Sequence, residues 1–192
     1  MTRRFLWREG LCGLVWMAGA LAVAAPPTGP RFRVSDSGDE VVDVQAKLVW
    51  RRCVEGMSWT GATCEGVPEL FDHSQAQAHA TRVFRSSQLP WRLPHVPELK
   101  RLIDARYRYP AVDPELFPHT PPQWHWSASV SVGAGGAFNP YNYGNIAQGR
   151  TPSSVNQVAF LHGWAVDFAN GESKGEILKR TPMVLRLVRV AR

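Results

Sequence analysis

Between residues 133 and 149 the chain reads Gly-Ala-Gly-Gly-Ala-Phe-Asn-Pro-Tyr-Asn-Tyr-Gly-Asn-Ile-Ala-Gln-Gly, followed by Arg150. Tyr141 and Tyr143 offer flat apolar faces that stack on the C–H faces of sugar rings. Asn139, Asn142 and Asn145 bring amides for hydroxyl groups, and Arg150 adds one cation. Adaptable Tyr/Asn/Gly-rich loops serve protein recognition for the same reasons. These six residues are the candidate ligand-binding set. The competing reading is a plain connector whose tyrosines pack down on a sheet, since long loops are either functional or merely linking.

Carboxylates are conspicuous by their distribution: none occurs between Glu115 and Asp167. A calcium site needs several oxygen ligands with charge among them, so this stretch predicts recognition without calcium. Glycoside hydrolysis needs two carboxyl groups across a scissile bond; Asp113 and Asp167 could meet in space, but the family resemblance described below implies a structural role for both, terminating turns or capping. No Gly-x-Ser-x-Gly elbow or recognisable Ser/His/Asp set is present, so no catalytic residues are assigned and no enzyme is expected. His119, His125 and His162 lack a cysteine or carboxylate pair at ligand spacing, so neither a metal nor another cofactor is expected.

A second set of interest is Lys179, Arg180, Arg186, Arg189 and Arg192 near the C-terminus. Guanidinium forks suit sulfate or phosphate groups. Arg186 and Arg189, at odd spacing in what reads as one closing strand, point to opposite faces and form no single patch unaided.

The N-terminus reads as an address. Arg3, Arg4 and Arg8 precede an apolar stretch from Leu11 to Val23, and Ala22-Val23-Ala24 places small residues where a signal peptidase cuts. Residues 1–24 are thus expected to be an export signal, which is also the only expected membrane contact. Residues 25–30 form a Pro/Gly-rich flexible lead-in, and 31–192 one folded domain. Export to the periplasm, cell surface or medium makes nucleic acid an improbable partner, and no nucleic-acid-binding signature is found. The net charge of +6 among 192 residues is mild once the three leader arginines are discounted. After processing, Cys53 and Cys64 remain in an oxidising compartment and are expected to pair, which stabilises the fold by on the order of 2–3 kcal/mol.

Several elements must position these groups. Arg31-Phe32-Arg33-Val34 alternates like a half-buried strand, and Ala46 to Trp50 reads as another, with Leu48 and Trp50 on one face. Asp72 and Gln75 make a capping box for a helix from about His73 to Arg85, whose inner side carries Ala76, Ala80 and Val83. A second helix starts after Pro94, with Pro97 in its first turn and Leu99, Leu102 and Ile103 as its apolar stripe. Recurrent prolines between Tyr107 and Pro122 forbid regular structure. Strands follow at Trp124 to Ser131 and Ala159 to Phe168, then an Asn170-Gly171 hairpin turn and a closing strand from Met183 to Val190. Trp124 and Trp126 share one strand face and His125 the other; these tryptophans, Trp50 and Trp91 are expected in the core.

In order along the chain stand Arg31-Phe32, Leu48-Val49-Trp50-Arg51-Arg52-Cys53 with Trp59 and Cys64, and Trp91-Arg92-Leu93-Pro94 with Glu98-Leu99. Pro110-Ala111-Val112-Asp113 with Phe117-Pro118, Trp124-His125-Trp126-Ser127-Ala128-Ser129, Ala165-Val166-Asp167-Phe168 and Leu185-Arg186-Leu187-Val188-Arg189 follow. This series resembles the Lcl C-terminal domain family, named after a bacterial collagen-like adhesin, over nearly the whole of the expected mature chain. The chain departs from the family in carrying His73 where tryptophan is usual, in its long glycine-rich stretch, and in lacking collagen-like repeats. The resemblance implies an α+β, C-type-lectin-like fold: two short helices, a small twisted antiparallel sheet, a long loop, and paired N- and C-terminal strands. It also implies an exported bacterial protein, and the namesake binds sulfated glycosaminoglycans. The expected function is adhesin-like, non-enzymatic binding of a glycan or anionic surface polysaccharide. The alternative is a protein–protein module of a periplasmic or cell-surface assembly.

Overall fold

The computed structural model describes residues 29–130 and 161–191. The export signal, most of the lead-in, and Asn139, Tyr141, Asn142, Tyr143, Asn145 and Arg150 therefore lie outside the described residues, as does Arg192.

In chain order the strands are β1 (Phe32–Val34), β2 (Glu40–Asp43), β3 (Leu48–Arg51), β4 (Met57–Trp59), β5 (Cys64–Gly66) and β6 (Leu70–Phe71). Helices α1 (His73–Ser87) and α2 (Val96–Lys100) follow, then β7 (Trp124–Val130), β8 (His162–Asp167), β9 (Ser173–Leu178), β10 (Met183–Val184) and β11 (Val188–Val190). Among the described residues the class is α+β, with two helices and mostly antiparallel pairing, as expected. The described strands are arranged in three sheets: a four-stranded sheet in the order β1-β2-β3-β11, a five-stranded sheet in the order β6-β10-β7-β8-β9, and the β4-β5 hairpin. Only β10 against β7 is parallel among these pairings.

Two expectations are corrected here. The N- and C-terminal strands share a sheet without pairing: β1 and β11 occupy opposite edges, because β2 and β3 fold back as a hairpin between them. The single closing strand from Met183 to Val190 is two strands in two sheets, parted at Leu185-Arg186-Leu187. At the parting Arg186 is fully buried and its side chain donates to the carbonyls of Arg51 and Arg52 and to the Thr120 hydroxyl, while the Leu185 and Leu187 carbonyls accept from the Glu55 and Arg51 N–H groups.

Local chemistry explains the helices. Asp72 accepts from the Gln75 N–H at 2.8 Å while the Gln75 side chain accepts from the Asp72 N–H at 3.0 Å, a reciprocal capping box that satisfies two orphan donors. At the other end Gln88 takes the left-handed conformation that closes α1. Helix α2 begins with Pro97 in its first turn and buries Leu99 completely.

Alternation along the strands feeds two cores. Val49, Trp91, Trp126, Ala165 and Leu187 belong to one, with Ala76 and Ala80 of α1; Leu48, Trp50, Val166, Phe168 and Val188 belong to the other, with Leu99 of α2. Neighbours such as Ala165 and Val166 thus face opposite cores, as the two-residue period requires. Gly171, at φ +79°, makes the β8–β9 turn where a side chain would also strike Ile103. Strands β7 and β8 pair from Trp124 opposite Asp167 to Val130 opposite Gly163, so the 131–160 connection starts and finishes on adjacent strands.

Cys53 and Cys64 form the expected disulfide, with their Cα atoms 5.5 Å apart. It fixes the β4–β5 hairpin to the end of β3. The prolines between Tyr107 and Pro122 keep that segment in turns, as expected.

Candidate functional site

The charged groups divide into those that hold the fold and those that line open surface. Asp43 belongs to the first kind. Its buried carboxylate accepts from Arg101 at 2.8 and 3.0 Å, from Arg31 at 3.1 Å and from the Ala46 N–H at 3.0 Å. Burial works to raise its pKa, but the Arg101, Ala46 and Arg31 contacts prevail and hold it below the ordinary value. Arg92 forms two bonds to Glu98, at 2.8 and 2.7 Å, and one to the Leu93 carbonyl at 3.0 Å. Asp113 accepts from the Tyr107 hydroxyl and the Glu115 N–H, and Asp167 from the Ala169 N–H, so both carboxylates serve turns, as the sequence indicated.

The aromatic strand β7 is also built into the interior. Trp126 is fully buried and donates to the Phe71 carbonyl at 2.8 Å; half-buried Trp124 packs against the same core. His125 points the other way. Its ring stacks on Phe168 at 3.9 Å, and Nδ1–H donates to the Gln123 carbonyl at 2.9 Å, while Nε2 has no protein partner. Burial, with the nearby Arg186 charge adding to it, pushes its pKa down to about 3. His73, the expected departure from the family, fills its site by meeting Trp126 edge-on at 5.1 Å and bonding the Ser127 carbonyl at 3.2 Å. Burial lowers its pKa as well.

The C-terminal basic set disperses. Arg186 is interior and its pKa is lowered to about 9 by burial, so it remains charged near neutrality. Arg189 bonds Glu40 at 2.5 Å and lies 5.1 Å from the Trp91 ring centre. Arg180 is exposed. The expectation that Arg186 and Arg189 share one strand is thus corrected, and with Arg186 buried and Arg189 bonded to Glu40 these two form no common face. Among the described residues no three His, Cys, Asp or Glu side chains gather so as to hold a metal ion, and no helix is long and apolar enough to cross a membrane.

Among the described residues an open groove of about 550 Å³ lies where the sequence reading assigned no site. Its walls come from the turn after β1 (Ser37, Asp39), the ends of β2 and β3 (Glu40, Arg51), the disulfide-bound loop (Cys53 to Trp59), and the end of α1 with the residues beyond (Ser87, Leu89, Trp91). Glu55 is among its lining residues, 5% exposed and held by His79 at 2.6 Å and Arg51 at 3.3 Å. Arg51 and Arg189 both lie 5.1 Å from the Trp91 ring centre, and the Arg52 guanidinium covers Trp59 at 4.0 Å. Arg52 also donates to the carbonyls of Gly38, Leu116 and Glu115, which locks the outer wall. The signal available in sequence was limited to Trp59 and the cysteine pair; the remaining walls come from distant segments.

Comparison with known proteins gives one family: the model described as the Lcl C-terminal domain matches residues 39–189. No curated protein and no solved structure matches this chain.

Proposed function

The chain belongs to the Lcl C-terminal domain family, and from that premise we propose that it is an exported, adhesin-like binding domain of a bacterial cell surface or periplasm, built on a C-type-lectin-like scaffold. It recognises a glycan or anionic surface polysaccharide without calcium and without catalysis. Asn139, Tyr141, Asn142, Tyr143, Asn145 and Arg150 make the contacts, by ring stacking, amide hydrogen bonds and one guanidinium. Family membership carries this reading. The Cys53–Cys64 bond supports it as a crosslink suited to an oxidising compartment. So does topology: the segment bearing these residues is the connection between two paired strands of the larger sheet, with both ends fixed.

Glycan-array binding by the full chain tests it. The expected result is a glycan signal abolished by combined Tyr141→Ala and Tyr143→Ala and indifferent to chelator. A chelator-sensitive signal, or one untouched by the double variant, would overturn the site. A protein–protein role is the second reading, favoured by the open groove beside the disulfide.

A further inference from the structure

Trp164, in the middle of β8, is half-buried yet packs with neither apolar core. Its indole rests instead on Gly175 of β9, where a Cβ would stand 2.4 Å from the ring's Cε2 and 2.6 Å from Cζ2. Gly175 is accordingly buried. The ladder steps by a bulge at this point: Gly163 pairs with Ile177 and Ala165 with Lys174, so Gly175 and Glu176 together stand opposite Trp164. Among the described residues nothing accepts from the indole N–H, and it is not enclosed as those of Trp50 and Trp59 are.

The register says which groups share the ring's side of the sheet. Ala165 belongs to the Trp126 core, so His162, Trp164 and Val166 project the other way, as does Ser173 opposite Val166. Ile177 packs toward the Ala165 core, which turns its neighbour Glu176 to the Trp164 side. Glu176 is exposed, and its carboxylate has no ion-pair partner among the described residues. Lys174, paired with Ala165, projects from the opposite face.

A sugar ring sets a matching demand. Its C–H bonds stack on an aromatic face, and its hydroxyls need acceptors and donors around that face. Trp164 supplies the face and an indole donor, Glu176 an ionised acceptor, and Ser173 a hydroxyl that does both. The same carboxylate repels sulfate and uronate groups, which selects a neutral sugar. In the gluco configuration every ring substituent is equatorial, so C–H bonds cover both faces and nothing lifts the ring from a flat indole. The seat on Gly175, within a paired strand, holds the indole in place before anything binds, which lowers the ordering cost of association.

We infer that Trp164, seated on Gly175 and flanked by Glu176 and Ser173, stacks a pyranose ring of a neutral, gluco-configured glycan. This rests on the glycan reading above and adds to it a strand-borne contact and a class of ligand, neutral in place of anionic.

The probes are cellotetraose and the N-acetylglucosamine tetramer, with a heparin tetrasaccharide as anionic comparator, titrated into the full chain by calorimetry. A neutral probe is expected to bind and heparin not to. Trp164→Ala should weaken binding about tenfold, the scale of one lost stacking contact. Gly175→Ala, which lifts the indole from its seat, should do the same, and Glu176→Gln should cost about fivefold through weakened hydrogen bonds. Lys174→Ala should leave binding unchanged. In protein labelled with 5-fluorotryptophan, the fluorine resonance missing from Trp164→Phe should move when the neutral probe is added, a response that a purely structural ring would not give. Thermal midpoints confirm that each variant folds. Binding of neither neutral probe, preference for heparin, an unmoved Trp164 resonance, or binding untouched by both Trp164→Ala and Glu176→Gln overturns the inference. A glycan-array signal that is lost with the Tyr141 and Tyr143 pair but kept in Trp164→Ala removes this inference alone; the reverse pattern removes the loop site alone and supports this one. A silent array removes both.

Discussion

Lowering the pH places a calculable load on His125. The ring is completely enclosed, stacked on Phe168, and its pKa in the folded chain is about 3 against an ordinary 6.5. Between those values the unfolded chain binds a proton that the folded chain refuses, so stability falls as pH falls. The contribution is fully present above about pH 6.5 and is lost progressively down to about pH 3. Each pH unit inside that window costs about 1.4 kcal/mol, so moving from pH 7.5 to 4.5 removes about 3 kcal/mol through this one ring. His125→Phe deletes the titration while keeping an aromatic ring against Phe168. The Gln123 carbonyl that His125 bonds still accepts from the Phe168 N–H at 3.0 Å, so the substitution leaves no orphan acceptor there. Urea unfolding of parent and variant at both pH values gives the test. His73, Asp43 and Glu98, whose folded pKa values are also lowered, contribute acid loss in the same direction and are common to both proteins. The difference between the two losses therefore isolates His125. It should be about 3 kcal/mol in the variant's favour, and equal acid losses would refute the assignment of the burden to this ring.

Two further perturbations test the scaffold. Replacing Cys53 and Cys64 by serine should lower stability by about 2–4 kcal/mol, measured by urea unfolding under oxidising conditions, and reductant should reproduce the loss in the parent alone. Gly56→Ala should cost more than about 2 kcal/mol in the same assay. Its φ of +90° disfavours any side chain, and an added Cβ would stand 2.3 Å from the Glu69 nitrogen, a backbone atom with little room to retreat.

Elements with local signatures were readable in the sequence. The Asp72–Gln75 box announced α1, and Pro97 with Leu99 announced α2, which stops at Lys100, so that Leu102 and Ile103, expected on its apolar stripe, lie beyond it; the opposed faces of Trp126 and His125 appeared as the strand period requires. What escaped depended on distant partners. Strand β2 reads Glu-Val-Val-Asp, and its inward Asp43 breaks the apolar pattern; the compensating Arg101 lies 58 residues further on. The burial of Arg186 between β10 and β11 was hidden because it looks like a surface cation until its contacts with Thr120 and the Arg51 and Arg52 carbonyls are seen. The groove escaped for the same reason. Asp39, Arg51, Trp59 and Trp91 sit on four segments, and nothing local says that they meet.

The pairing of Val130 with Gly163 gives the domain a fixed gateway. The strands that precede and follow the intervening stretch belong to one ladder, so a change in the length of that stretch reaches them through closure entropy, at about 0.6 kcal/mol for each doubling.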